Sequence, residues 1–132
     1  MTDQRKKGLD LFRDIYGDEA ADGMARYMET DDFGVETARW TADFSFGAVW
    51  SREGIERKMR SAAVLGMLIA QSAVPEIGYH TKMGLANGLS RKELEEIIYT
   101  AIPYCGFPAA NAAKAKMREI FTEIDGAQDA KH

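Results

Sequence analysis

No segment of this chain sustains the period-two alternation of apolar and polar residues that a half-buried strand requires. The apolar residues recur instead at intervals of three and four, the spacing of one helix face. The clearest run is Leu94, Ile97, Ile98, Ala101 and Ile102, directly behind "SRKE" at 90–93. That tetrapeptide is a capping box: the Ser90 hydroxyl and Glu93 carboxylate are placed to satisfy the backbone N–H groups that a helix start leaves open. Alanine, methionine, leucine and glutamate are abundant, as a helical chain needs. The reading is an all-α fold of about six or seven helices.

Glycine and proline divide the chain. Gly17 marks a helix stop, with Asp18 as N-cap of a second short helix. Helical spacing runs through Val35, Ala38, Ala42, Ser45 or Phe46, and Val49, and Ser51 is a candidate cap for the next helix. That helix, over about 52–73, carries a stripe of Ile55, Met59, Ala62, Ala63, Gly66, Ile69, Ala70 and Ala73. Its small members, Ala62, Ala63 and Gly66, are expected to let a neighbouring helix approach closely. Pro75 breaks that helix and opens another over 75–87, which stops at Asn87-Gly88. Pro103 kinks or ends the helix begun at Ser90, and Pro108 restarts one. One domain is expected over 1–132, with a polar tail fraying from about residue 125.

Composition removes several function classes. A domain of 132 residues buries roughly 65–70% of its unfolded surface, enough to hold a core without metal or disulfide support. The one cysteine, Cys105, leaves no intrachain disulfide, no CxxC redox pair and no multi-cysteine zinc site, and it fits a cytoplasmic protein. Its expected role is that of a small buried hydrophobe. With 17 basic and 21 acidic residues interspersed, the net charge is −4 and no basic face for nucleic acid is expected. The basic clusters at 5–7 and 56–60 read as solvated helix faces. The longest apolar run, "AAVLGMLIA" at 62–70, is far short of the ~20 residues that cross a bilayer, and "MTDQRKKGLDLF" carries no apolar signal region.

The chain has two histidines, and one of them, His132, is its last residue. His80, in "EIGYHTKMGLANG" at 76–88, is therefore either a packed residue that happens to titrate or the chemical centre. Glu76 lies four residues earlier and so shares its helix face. It is placed to orient the imidazole, fix its tautomer and raise its pKa; the bland alternative is a surface pair worth ~0.3–0.5 kcal/mol. Tyr79, about 100° around the same helix, is expected to be packing.

Three segments in order, "WSREGIERKMRSAAVLGMLIA", then the histidine with "GLANGLSRKELEEII", then "YCGFPAANAA", resemble the carboxymuconolactone decarboxylase family. The likeness extends from about Gly8 to Ile120. It implies the helical AhpD-like fold and assembly as a homo-oligomer, a trimer or hexamer. The peroxidase branch of that superfamily carries a CxxC pair just before the histidine. Here that stretch is "SAVPEIGYH", which has no cysteine, so the resemblance is to the decarboxylase branch. The same junction departs from the decarboxylase pattern, where an arginine-bearing turn and Glu-Leu precede the histidine; this bears on the substrate and not on the fold.

The reaction implied is a carboxy-lyase step on a small carboxylated unsaturated lactone, without a metal or organic cofactor. Loss of CO₂ from the γ-carbon sends electrons through the double bond onto the lactone carbonyl, and the α-carbon is then protonated. Such a site needs a grip on the spectator carboxylate, a donor towards the developing oxyanion, and a proton source. His80 is the expected proton carrier, because an imidazole near its reference pKa of ~6.5 donates and accepts at neutral pH. Glu76 is its partner. Arg60 matches the arginine before the long apolar helix and can hold a carboxylate through two hydrogen bonds. Trp50 and Tyr104 are candidate pocket walls, or else core aromatics.

Two alternatives stay open. The same histidine-centred pocket could serve ring opening, isomerisation or another proton transfer. A non-catalytic oligomeric protein could instead use Met24, Tyr27, Met28, Phe44 and Phe46 as subunit contacts.

Overall fold

The computed structural model describes residues 1–130 and is helical throughout, with no strand among those residues. Its contacts gather into two compact units, one over residues 1–56 and the other from Arg57 onward.

In the first unit, helix α1 (Asp3–Tyr16) is capped by Thr2, whose Oγ1 accepts from the Arg5 N–H at 3.1 Å. It stops at Gly17, where φ is +95°, a conformation in which a side chain would be strained. Helix α2 (Asp18–Tyr27) begins at once, so Gly17 caps both and Asp18 is the first helical residue, not the N-cap expected of it. Helix α3 (Glu36–Trp40) runs without a break into a π-helix over Thr41–Trp50. The wider register is visible at its end, where Ser51 N–H bonds the Phe46 carbonyl five residues back at 3.0 Å. Ser51 is thus the end of this element, its hydroxyl donating to the Gly47 carbonyl at 2.6 Å, and not the cap of the next.

Helix α1 lies on the π-helix with backbone nearly touching backbone. A Cβ on Gly8 would stand 1.9 Å from the Ala42 carbonyl oxygen, and one on Gly47 would stand 2.1 Å from that of Gln4. Arg5 pairs with Asp43 across the same seam, Nη2 to Oδ2 at 2.8 Å, which holds the Asp43 carboxyl below its ordinary pKa. Phe12 stacks obliquely on Tyr16 and Phe46, with ring centroids 4.6 and 5.8 Å apart. Met28 and Phe46 are buried here, which removes them from the surface on which subunit contacts were expected; Tyr27 and Phe44 remain exposed.

The second unit contains α4 (Arg57–Ala70), α5 (Val74–Ala86), α6 (Arg91–Cys105) and α7 (Phe107–Ala130). Helix α4 packs against the other three, and α7 packs against both α5 and α6. The core they share includes Leu65, Ile69, Ile77, Leu94, Ile98 and Met117. The capping box at Ser90 is formed in both directions, each bond 3.0 Å, and Lys58 adds an ion pair to Glu93 at 2.8 Å. Pro103 is accommodated two residues before α6 ends, and Gly106, at φ +91°, turns the chain into α7. Cys105 packs half-buried against the core.

The core face of α4 differs from the expected stripe. Ile69 is buried as expected and Ala62 packs partly buried against the core, but Ser61 and Leu65 are buried beside them, whereas Ile55, Met59, Ala63 and Ala70 are exposed, and Gly66 faces open space. Close helix approach is supplied by α5 instead, at Gly78 and Gly84. Helix α7 continues to Ala130, and the last two residues of the tail expected to fray from about residue 125 lie outside the described residues.

Candidate functional site

Helix α5 carries His80, and its entry is tightly built. Ser72 adopts φ +53°, a left-handed conformation costly for a side chain, and Val74 N–H closes onto the Ser72 carbonyl at 3.0 Å. Pro75 then sits in the first turn, where its missing N–H costs nothing. Two contacts seat the helix. The Lys116 stem of α7 lies over Gly78, its Cε 2.6 Å from where a Cβ would be, and Leu89 and Leu65 close over Gly84. Thr81 is fully buried and satisfies its hydroxyl on the Ile77 carbonyl at 2.6 Å.

Ile77, Gly78, Thr81 and Gly84 form the inward face of α5, while Glu76, Tyr79 and Lys82 are exposed. His80 stands half-buried on the border between them. Burial pushes its imidazole below the usual range, and the charge of Glu76 pulls the other way with less effect. Glu76 raises the imidazole pKa as expected of it, but burial outweighs that charge and the net shift is downward. Tyr79, expected to pack, is 63% exposed.

Arg60 lies in the first turn of α4, the helix packed beside α5. It is half-buried, and its Nε is inaccessible to solvent with no hydrogen-bond partner among the described residues. A buried N–H without an acceptor costs about 1–3 kcal/mol, so this donor is suited to an incoming anion. The neighbouring Ser61 is fully buried and accepts from Asn87 Nδ2 at 3.0 Å, tying the start of α4 to the end of α5. Nothing in the spacing of Ser61 or Asn87 announces that bond; Ser61 reads as a polar interruption and Asn87 as a helix stop.

The two aromatic candidates differ. Trp50 is buried at the end of the π-helix, in the first unit, whereas Tyr104 near the end of α6 is 87% exposed. The second unit therefore brings Arg60, Glu76 and His80 onto two adjoining helices and leaves Tyr104 at the surface. Among the described residues no group of three or more His, Cys, Asp or Glu is placed to hold a metal ion, and no helix is long and apolar enough to cross a membrane.

This arrangement can supply a neutral imidazole, a carboxylate that favours its protonated form, and a cationic donor. Comparison with known proteins gives the family. Residues 36–119 match the model of the carboxymuconolactone decarboxylase family. The chain is 31% identical over 126 residues to a 4-carboxymuconolactone decarboxylase of Acinetobacter baylyi, covering 94% of this chain and 92% of that one. It is 32% identical over 118 residues to a nitrosuccinic acid decarboxylase of Metarhizium robertsii, covering 89% and 81%. An uncharacterized 15.0 kDa protein of Paracoccus denitrificans shares 28% over 82 residues, 61% of each chain. This chain belongs to the carboxymuconolactone decarboxylase family.

Proposed function

We propose that this protein is a cofactor-independent carboxy-lyase acting on a small carboxylic acid in which the carbon losing CO₂ is conjugated to an oxygen-bearing electron sink. The reading rests chiefly on one observation: His80 is half-buried, with Glu76 a turn away and Arg60 on the adjoining helix. The two named relatives support a shared logic. In 4-carboxymuconolactone the sink is an unsaturated lactone, and in nitrosuccinic acid it is a nitro group; in either, heterolysis of the C–CO₂ bond moves the electron pair onto oxygen. 4-Carboxymuconolactone is the first substrate to test, since the more fully covered relative is named for it.

In this mechanism Arg60 holds the carboxylate that is retained. The C–CO₂ bond breaks, CO₂ departs, and the electron pair moves through the double bond onto the lactone carbonyl oxygen. His80 in its protonated form then delivers a proton to carbon, and the oxyanion collapses back to the carbonyl of the enol-lactone. Burial lowers the proton affinity of the free imidazole, and the negative charge of bound substrate, added to that of Glu76, is what raises it. A homo-oligomeric trimer or hexamer and a cytoplasmic location belong to the same proposal. Exposed Met59 and Met67 on α4 offer apolar surface for assembly. The same pocket could run ring opening or isomerisation, and the product distinguishes these.

The test is the ultraviolet change on adding protein to 4-carboxymuconolactone and to nitrosuccinate, with CO₂ measured and His80→Ala run beside it. CO₂ release from either acid that is lost in a folded His80→Ala protein supports the reading. Release that survives the substitution removes His80 from the chemistry, and a product formed without CO₂ favours isomerisation.

A further inference from the structure

Helices α6 and α7 leave between them a half-open groove of about 430 Å³ that His80, Glu76 and Arg60 do not line. That volume lies within the range of small-molecule sites. Its floor is apolar, from Leu94, Ile98, Met117 and Phe121, and Tyr99 stands at its side. Its rim is cationic. Arg91, Lys92, Lys114 and Arg118 line it against one carboxylate, Glu95, in a chain whose net charge is −4.

Two of those cations are already engaged. The Arg91 guanidinium stacks 4.5 Å over the Phe121 ring and bonds both oxygens of Asp125, at 2.6 and 3.2 Å. Lys92 approaches Glu95 at 3.8 Å. Lys114 and Arg118 have no ion-pair partner among the described residues, and their i, i+4 spacing puts both on one face of α7. A pair of uncommitted cations beside an apolar trough with two aromatic side chains matches an anion that carries an aromatic body.

From this geometry we infer that the α6–α7 groove is a second ligand site, for an aromatic carboxylate of one or two rings. The ring lies on Ile98, Met117 and Phe121 beside Tyr99, and the carboxylate meets Lys114 and Arg118. The site is independent of the His80 chemistry and stands or falls apart from it.

Titration of the full chain with 2-naphthoate, monitored by calorimetry and by chemical-shift changes, tests this. Saturable binding is expected, with shifts centred on Ile98, Tyr99 and Phe121. The double charge reversal K114E/R118E, at solvent-facing positions, is expected to weaken it by about tenfold or more while leaving the circular dichroism unchanged. The uncharged 2-naphthylmethanol is expected to bind weakly. Absence of saturable binding, equal affinity for the alcohol, or unchanged affinity in K114E/R118E overturns the inference. So does binding abolished by His80→Ala, which places the probe in the other site, or a groove covered by a second copy, seen as dissociation of an oligomer in K114E/R118E with no probe binding to the native protein.

Discussion

Each half of this chain is held together by a different kind of contact. In the first, α1 meets the π-helix through backbone: Gly8 against the Ala42 carbonyl and Gly47 against that of Gln4, with no room for one added carbon. In the second, four helices meet through side chains, and even its close approaches at Gly78 and Gly84 are covered by the movable ends of Lys116 and Leu89. Backbone has nowhere to go, whereas a side chain can change rotamer. The half that carries His80 should therefore tolerate substitutions that the other half does not.

The largest expected effect lies at the α1 seam. Gly47→Ala or Gly8→Ala should cost roughly 3 kcal/mol or more, because that seam must open, whereas Gly84→Ala should stay within about 1 kcal/mol, the helix-propensity gain offsetting a small shift of Leu89. Urea unfolding of the three variants checks this, and equal losses would erase the distinction. Leu65→Ala comes next: it empties a fully buried position between α4 and α5 and should cost about 3 kcal/mol. Its loss should appear in the second half, read by amide exchange of α4 and α5. A smaller effect concerns pH. His80 has a folded pKa below its unfolded value of about 6.5, so its stabilising share is present above that pH and is lost as pH falls through the folded value. The urea midpoint should drop between about pH 7.5 and 5.5 in the native protein and drop less in His80→Gln. Smallest is Ser72→Gly, which relieves the left-handed residue before α5 and should add a few tenths of a kcal/mol by thermal denaturation.

The same contrast governs what could be read from the sequence. Helix starts and stops are legible at Ser90 with Glu93, at Gly17, at Gly88 and near Pro108, where a local side chain, glycine or ring enforces them, but not at Thr2 or Gly106. The π-helix was not, since Val35 through Val49 fits ordinary helical spacing and the wider register coincides with the contact to α1 at Gly8 and Gly47. The buried face of α4 was misjudged for a related reason. Alanine and glycine fit either side of a helix, so the spacing takes in Ala63, Gly66 and Ala70 beside Ile69, whereas the buried face pairs Ile69 with Ser61 and Leu65. At the candidate site, the shared face of Glu76 and His80 comes from four-residue spacing alone. The downward shift of the imidazole does not, because it depends on how deeply the border of α5 is covered by other elements.

The central claim is that protonated His80 delivers the proton after CO₂ leaves. The measurement that meets it most directly is the pH dependence of kcat/KM for 4-carboxymuconolactone, which reports the free protein's essential groups. The account predicts an alkaline decline with its midpoint below about 6.5, and a kcat limb at higher pH because bound substrate raises the imidazole's proton affinity. A profile flat from about pH 5 to 8, or one that His80→Ala leaves in place, would contradict it.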